Sequence, residues 1–334
     1  MKRRTTTPRV LTAALAGVLV LAGCGGVAGD TGEAADPADR VAYDGPRHEV
    51  RVGVLRQPHL SHALFYERYL PEGVTLKVVP FANSTEIKNA VVSGDLEFGV
   101  TGITSALQGA AAGERVVVVA AAADGGSAIV AGKKAGITAV ADLRGKRIGY
   151  VPGSAQDILL RLTLRDAGLA VADVNLVNVQ FADMAAALSR GDIDAFSGAE
   201  VGPSDALAKG DAILVTHPYD TDMGKINIAF VTNADVIEKS PALVTAMVAV
   251  HAKATEHMAA AKSDWIRAVV DQYGFREESL SIAVENITLR WLMDDSYLAQ
   301  IKVLGEQMRS VGSLQQEPDY TAFVDTSFVG KAMP

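Results

Sequence analysis

Short apolar runs alternate with segments of helical periodicity from Val50 onward. The apolar runs are rich in Val, Ile, Leu and Ala and are short enough to be strands, and they occupy 50–55, 74–79, 96–100 and 116–122. The segments 61–70 and 85–92 between them carry a helical pattern, and the second opens with good N-terminal capping residues. Strands that alternate with helices predict βαβ units and a mostly parallel sheet.

The pattern occurs twice. Arg51-Val-Gly-Val is echoed by Arg147-Ile-Gly-Tyr, and Gly94-Asp-Leu is echoed by Gly191-Asp-Ile. The run that starts at Val74 has its counterpart at Val174. The two copies of each motif are about 100 residues apart, which is too long for a solenoid repeat. Composition alone also produces such echoes between βαβ units, and either origin predicts two similar lobes, at 48–124 and 128–216. Loop residues 124–127 form the expected hinge, and 216–224 form a second junction.

The remaining residues, 225–334, open with a strand at 226–231. A long helix follows, with Ser240 as its cap and Pro241 in its first turn, and it extends to about residue 261. Further amphipathic segments occupy 264–272, 277–293 and 296–310. We expect this part to return to the first lobe, which gives two hinge crossings between the lobes and a ligand cleft between them.

The N-terminus has the features of an export signal. Four basic residues precede an apolar stretch that is too short to span a bilayer comfortably, and Leu21-Ala-Gly-Cys24 follows. This tetrad resembles a bacterial lipobox, which implies cleavage of residues 1–23 and a lipid on Cys24. The Gly-, Ala-, Asp- and Pro-rich stretch 24–47 is then a flexible tether. The expected location is the outer face of the cell membrane. The alternative is an accidental cysteine behind a cleaved signal.

Composition excludes several classes of protein. The chain of 334 residues is 49% hydrophobic and 21% charged, which rules out a mostly disordered chain. Its single cysteine forms no intramolecular disulfide and no multi-cysteine metal site. A net charge of −8 argues against nucleic acid as a partner. The sequence also lacks the Gly-x-Ser-x-Gly, His-Glu-x-x-His, P-loop and Ser-x-x-Lys motifs. We therefore expect no enzymatic activity, no cofactor and no metal.

Two segments carry a family resemblance. Residues 142–149, Asp-Leu-Arg-Gly-Lys-Arg-Ile-Gly, are followed by Gly153-Ser154, and 90–95 is followed by a Gly- and Ala-rich stretch at 99–113. Together they resemble the nitrate/sulfonate/taurine-type substrate-binding proteins of ABC importers, which have the type II periplasmic-binding-protein fold. The resemblance implies an α/β fold of two lobes that close on a small ligand, usually an anion. It also implies an ABC permease and its ATPase as partners, and we expect a monomer.

Ligands of open α/β sheets bind outside the carboxyl ends of the strands, where six loops of the two lobes converge. Several of these loops lead into helices, whose N-termini favour anions. The ligand-binding candidates are Gln57, His59, Ser61, Asn83, Ser84, Thr85, Thr101, Gly102, Thr104, Ser127, Ser154, Gln156, Ser197 and Glu200.

Each candidate has a structural alternative. The hydroxyls are equally explained as helix caps or strand ends, and Glu200 or Asp124 is a potential partner for a cationic ligand. The first loop, Arg56-Gln-Pro-His59, departs from the simplest relatives, so the ligand's identity stays open. The alternative functions are a binding protein for a thiamine-precursor-like or other heterocyclic ligand, an enzyme on the same scaffold, and a receptor subunit for a sensor.

Overall fold

The computed structural model describes residues 37–221 and 223–332. The predicted signal peptide and Cys24 lie outside the described residues. No helix in the described part of the chain is long and apolar enough to cross a membrane. The last residues of the predicted tether are attached to the body, because the Val41 N–H donates to the Tyr69 carbonyl at 3.0 Å.

The strands form two sheets. The six-stranded first sheet has the order β11-β4-β10-β3-β1-β2, and the five-stranded second sheet has the order β7-β6-β8-β5-β9. The strands are β1 His48–Leu55, β2 Val74–Phe81, β3 Phe98–Gly102, β4 Val116–Gly125, β5 Ser127–Gly132, β6 Arg147–Tyr150, β7 Asn175–Asn178, β8 Ala195–Ala199, β9 Ala212–Thr216, β10 Ile226–Asn233 and β11 Ile287–Leu289.

The predicted internal repeat is confirmed by the strand order. In the first sheet β2, β1 and β3 are parallel, β10 is antiparallel to β3, and β4 is antiparallel to β10. In the second sheet β7, β6 and β8 are parallel, β5 is antiparallel to β8, and β9 is antiparallel to β5. The echoed motifs lie on equivalent strands or directly before them. The α/β class is as predicted, but both sheets are mixed rather than mostly parallel.

The repeat extends to an ion pair. The Arg51 guanidinium on β1 lies 2.6 Å from the Glu97 carboxylate, and Arg147 on β6 lies 2.7 Å from Asp194. In each pair the carboxylate also accepts the arginine's own backbone N–H. Each pair therefore holds an arginine, in the middle of β1 and at the start of β6, against a residue that leads into the parallel neighbouring strand.

Helices flank both sheets. They are α1 Ser84–Ser93, α2 Ile103–Ala111, α3 Ala155–Asp166, α4 Phe181–Arg190, α5 Gly202–Ala208, α6 Ala234–Lys239, α7 Pro241–Ala260, α8 Lys262–Tyr273, α9 Glu277–Ala283, α10 Asp295–Ser310, α11 Tyr320–Phe323 and α12 Ser327–Ala332. Two helix predictions were wrong in part. The 61–70 segment contains a 3₁₀ helix, His62–Arg68, and the 277–293 segment ends its helix at Ala283 and then forms β11.

The main hydrophobic core surrounds the first sheet. Strands β3, β4 and β10 are buried along their whole length, because helices cover both faces of the sheet. Two smaller apolar clusters cover the second sheet. Residues of the long helix α7 and of the C-terminal α12 belong to this main core.

Two chain crossings join the sheets. At the first, Gly126 alone separates β4 from β5, and Gly125 and Gly126 both have positive φ, 81° and 72°. A side chain at Gly125 would place its Cβ 2.4 Å from the Asn286 carbonyl oxygen. The second crossing joins β9 to β10, and its Tyr219 hydroxyl accepts the Ser127 N–H at 2.5 Å. The two crossings are therefore bonded to each other.

Candidate functional site

Four helix N-termini meet at one small cavity. Helices α1, α2, α3 and α4 follow the carboxyl ends of β2, β3, β6 and β7, and residues at the start of each helix line a cavity of about 20 Å³ between the sheets. The first turn of a helix presents unpaired N–H groups and the positive end of the helix dipole. The cavity thus lies in a positive potential that requires no charged side chain.

The walls of the cavity are neutral. Side-chain amides and hydroxyls alternate with apolar groups, and no Asp, Glu, Lys or Arg is among the described lining residues. The lining consists of Leu55, Gln57, His59, Ser84, Gly102, Thr104, Ser154, Ala155, Gln156, Phe181, Ala199, Asn227 and Ile228. Seven of the predicted site residues are in this set: Gln57, His59, Ser84, Gly102, Thr104, Ser154 and Gln156.

Ser154 both caps a helix and faces the cavity. Its Oγ accepts the Asp157 N–H at 3.2 Å and donates to the Val151 carbonyl at 2.7 Å. Asp157 in turn accepts the Gly153 N–H at 2.9 Å, which completes a reciprocal cap of α3. Capping and cavity lining, treated as alternatives at the sequence level, are combined in one residue.

The opposite wall is built from α1 and α2. The Gly102 N–H donates to Ser84 Oγ at 3.0 Å, and a Cβ at position 102 would lie 2.9 Å from that oxygen. A larger residue at this position would have to displace the Ser84 hydroxyl. Thr104 Oγ1 is buried and has no hydrogen-bond partner in the described structure, so it is available to a ligand.

Ser127 and Ser197 lie behind the cavity wall and are hydrogen-bonded to Gln156. Gln156 Nε2 donates to Ser127 Oγ at 2.9 Å, and Ser197 Oγ donates to the Gln156 carbonyl at 2.9 Å. Neither serine lines the cavity. Their positions in the second sheet explain how the Gln156 amide, at the start of α3, is held in a buried place.

Four further predicted site residues have structural partners and lie outside the cavity lining. Asn83 caps α1 by accepting the Glu86 N–H at 3.0 Å, and Thr101 Oγ1 donates to the Ser84 carbonyl at 3.0 Å. Ser61 Oγ accepts the Trp265 indole N–H at 3.0 Å. Thr85 is exposed, with its hydroxyl 3.4 Å from that of Ser105. For these residues the capping and strand-end interpretations describe the structure.

His59 is the one ionisable side chain among the described residues that line the cavity. Its side chain is 1% exposed, and burial lowers the pKa of its imidazole to about 3. It is therefore neutral at pH 7. Its Nδ1 has no hydrogen-bond partner among the described residues. Within those residues no group of three potential metal ligands occurs, so His59 and His62 do not form part of a recognisable metal cluster.

A larger groove adjoins the cavity. It has a volume of about 510 Å³ and shares Leu55, Gln57, Phe181 and Ala199 with the cavity. Phe81, Phe181 and Phe275 supply aromatic rings to its walls. Arg56 also borders it, although its guanidinium donates to the Tyr273 carbonyl at 2.9 Å.

Glu200 lies in the wall of this groove rather than in the cavity. Burial raises the pKa of its carboxyl group, and its two oxygens accept the Ser204 N–H at 3.2 Å and the Asn286 side-chain amide at 2.9 Å. Asp124 is paired with Arg290 at 2.9 Å. Both carboxyl groups have partners within the protein, although Asp124 Oδ1 accepts no hydrogen bond from the described residues.

Sequence reasoning missed Asn227. This residue lies on β10, and its amide donates to the Gly125 carbonyl at 2.6 Å while the side chain lines the cavity. The signal was a polar residue inside the apolar run Ile-Asn-Ile-Ala-Phe-Val. It could not be placed because the sequence does not reveal that β10 inserts between β3 and β4.

Known proteins share this fold and parts of the sequence. An Escherichia coli protein named for aliphatic sulfonate binding is 27% identical over 196 residues, which is 58% of this chain and 60% of that protein. The alkanesulfonate-binding protein SsuA of Xanthomonas axonopodis, solved with MOPS, superimposes with a TM-score of 0.75 at 18% identity, covering 84% of this chain and 99% of that one.

An enzyme has the same scaffold. The desulfurization enzyme DszB superimposes with a TM-score of 0.65 at 18% identity, covering 86% of this chain and 99% of the enzyme. The family described as NMT1/THI5 like matches residues 67–263, more than half of the chain. The chain therefore belongs to the NMT1/THI5-like family.

Proposed function

We propose that this protein is the extracytoplasmic solute-binding component of an ABC importer and that its ligand is a small organic anion of the sulfonate class. The observation that carries the proposal is the meeting of four helix N-termini at a cavity whose described lining contains no Asp, Glu, Lys or Arg. Backbone N–H groups and neutral amides suit the anion of a strong acid, which needs donors but no proton acceptor.

The groove supports an organic ligand rather than a bare inorganic ion. The cavity of about 20 Å³ has room for little more than one small group, whereas the adjoining groove of about 510 Å³ is in the usual range for a small-molecule site. An anionic head in the cavity and an apolar or aromatic body along Phe81, Phe181 and Phe275 would use both. Nitrate would fill the cavity alone.

Binding would proceed by hinge closure of the two predicted lobes. The cavity is lined from both sheets, so a ligand there contacts both lobes and stabilises their closed arrangement. Hydrogen bonds also connect the two sides: Asn286 donates to Glu200, and Ser279 Oγ donates to Asp205 at 3.1 Å. The closed form would then deliver the ligand to a membrane permease.

A thermal and calorimetric screen tests the proposal. Propane-1-sulfonate, taurine, nitrate and a hydroxymethylpyrimidine are titrated into the purified protein. We expect the sulfonates to bind and, at about one hundred times the dissociation constant, to stabilise the fold by about 2.7 kcal/mol. Binding of the pyrimidine but of no anion would refute the sulfonate assignment.

Binding without turnover distinguishes this function from that of the enzyme on the same scaffold. The cavity contains no carboxylate, lysine or cysteine to serve as nucleophile beside His59 among its described lining residues. We therefore expect bound sulfonate to be recovered unchanged after prolonged incubation. Release of sulfite by the purified protein would establish an enzyme instead.

We also propose that a lipid on Cys24 anchors the mature protein to the outer face of the membrane. Basic residues, a short apolar stretch and Leu-Ala-Gly-Cys support this proposal. The wild-type protein is expected to fractionate with membranes, whereas Cys24→Ala should remain as precursor or be released. An unmodified cysteine in the intact mass of the mature chain would contradict it.

A further inference from the structure

His59 forms the part of the cavity wall that lies against the hinge. It belongs to a short 3₁₀ helix, Pro58–Leu60, and its Nδ1 would lie 3.3 Å from a Cβ placed on Gly126. Most polar groups around the cavity have fixed partners, but Nδ1 of this buried ring has none in the described chain. The ring therefore lines a cavity that favours anions and keeps one nitrogen, on its hinge side, without a partner among the described residues.

Two other histidines behind this wall are fixed in neutral forms. The Nε2–H of His62 donates to the Ala122 carbonyl at 3.2 Å, and the Nε2–H of His251 donates to the Ala121 carbonyl at 2.8 Å. The Tyr66 hydroxyl lies 2.7 Å from His251 Nδ1 and donates to it. Burial lowers the pKa of both imidazoles, and neither lines the cavity.

Most charged groups near the hinge have partners, and the Lys225 ammonium lies 5.6 Å from the centre of the Tyr219 ring. Asp124, at the end of β4, is paired with Arg290, and Glu200, which follows β8, is bonded to Ser204 and Asn286. On the second crossing, the His217 ring and the Tyr219 hydroxyl are bonded to the backbone of Ser127. Arg56, on the same loop as His59, donates to the Tyr273 carbonyl. Burial alone accounts for the lowered pKa of His59, and no charged side chain contributes to it.

We infer that His59 takes up a proton from solvent at mildly acidic pH when an anion occupies the cavity, so that under these conditions the protein captures a strong-acid anion together with H⁺. This inference rests on the proposed function. No bond of the ligand changes: a water-borne proton moves onto the imidazole, and the imidazolium donates a charge-assisted hydrogen bond to the anion. His59 is thus a residue that makes affinity depend on pH.

The size of the effect follows from linkage. An opposite charge within about 4–6 Å raises the pKa of an imidazole by about 1–3, which takes His59 from about 3 in the empty cavity to between about 4 and 6 in the complex. If the pKa of His59 in the complex is about 5.5, proton uptake on binding is close to zero at pH 7.5 and about 0.7 proton at pH 5.0. The dissociation constant then falls about fourfold between these pH values.

Isothermal titration with propane-1-sulfonate tests this directly. The ligand stays ionised over the whole range, and titrations at each pH in two buffers of different ionisation enthalpy give the number of protons bound. Amine and carboxylate buffers are used, since buffers of the MES type are themselves sulfonates. Circular dichroism verifies that the fold is intact at pH 5.0.

Two variants make the result specific. His59→Gln keeps a neutral donor, and we expect it to bind with no proton uptake and with an affinity that does not change with pH. Thr104→Val removes another cavity donor that has no partner within the described protein. It should weaken binding by the same factor at both pH values and keep the uptake of the wild type.

The outcomes separate this inference from the proposed function. Binding with no uptake at pH 5.0, or uptake that persists in His59→Gln, would overturn the role of His59 and leave sulfonate binding intact. Failure of propane-1-sulfonate to bind at either pH would overturn both. A histidine titration followed by NMR gives the pKa of His59 directly. A rise of this pKa from about 3 in the free protein to between about 4 and 6 on saturation with ligand would support the inference.

Discussion

Replacement of Ser154 by aspartate separates the two roles of this residue. Asp, Asn and Ser are equally good N-caps, and a carboxylate also interacts well with the helix dipole, so α3 keeps its cap. The new charge, however, lies at the cavity wall, where the ligand's anionic group is expected. Stability and affinity should therefore respond differently to this one substitution.

The magnitude follows from Coulomb's law at a contact distance. Two like charges about 4 Å apart repel by about 4 kcal/mol at an effective dielectric constant of 20. If only half of this repulsion acts on the bound ligand, about 2 kcal/mol, affinity falls about 30-fold. We expect at least a tenfold loss. The substitution also removes the bond from Ser154 Oγ to the Val151 carbonyl, which is worth about 1 kcal/mol of stability.

Ser154→Asn is the matched control. It loses the same bond to Val151 and has the size of aspartate, but it brings no charge. Ser154→Gly retains the backbone N–H donors and should be milder than either. Each variant is titrated with propane-1-sulfonate at pH 7.5 and unfolded in urea. Equal affinities for Ser154→Asp and Ser154→Asn would show that the start of α3 does not face the anion, and would refute the reasoning.

Three further predictions concern the buried polar groups. Unfolded histidine has a pKa of about 6.5 but buried His251 has one of about 4, so the unfolded state binds more protons between these pH values. The free energy of unfolding should therefore fall as pH drops from 6.5 to 4, by up to about 1.4 kcal/mol per pH unit for this residue. In urea titrations, His251→Gln should reduce this dependence on pH. Burial raises the pKa of Glu200, so the stability contributed by this group falls as pH rises from the pKa of an unfolded glutamate through the raised pKa of the folded protein; Glu200→Gln, whose amide accepts only one of the two N–H groups, should remove this pH dependence in urea titrations. Asn286→Ala leaves a buried carboxylate oxygen unpaired, at a cost of about 1–3 kcal/mol, and should increase the radius of gyration in small-angle scattering; an unchanged radius would mean that this bond does not hold the two sides together.

The sequence was sufficient for the repeat and for the helix N-termini, because both depend on local signals. Motifs such as Arg51-Val-Gly-Val and Gly-Asp-Leu mark the starts of equivalent strands, and a serine before an amphipathic run marks a cap. Half of the predicted site residues line the cavity for that reason. The others follow the same loops, but their side chains bond to other groups of the protein, such as the Ser84 carbonyl for Thr101 and the Gln156 amide for Ser127. That choice depends on side-chain orientation.

Features that depend on distant partners were not predictable. The 277–293 segment has a helical pattern, but its end pairs with β4 as strand β11, which places Asn286 beside Glu200. The mixed character of the sheets likewise arises from β5 and β10, each of which enters a sheet antiparallel to its neighbours. Their sequences are apolar and β-branched, and nothing in such a run specifies its direction or its neighbours.

The position of β10 also has a consequence for how the chain folds. All five strands of the second sheet come from one continuous segment, 127–216, whereas the first sheet needs β10, from residues 226–233, to fill the space between β3 and β4. During N-to-C-terminal emergence, the second sheet has all its strands while the first still has a gap at its centre. The apolar edges of β3 and β4 therefore stay unpaired until residue 233 is available. A truncation at residue 216 should accordingly yield a folded second sheet attached to an aggregation-prone N-terminal half, rather than two half-stable lobes.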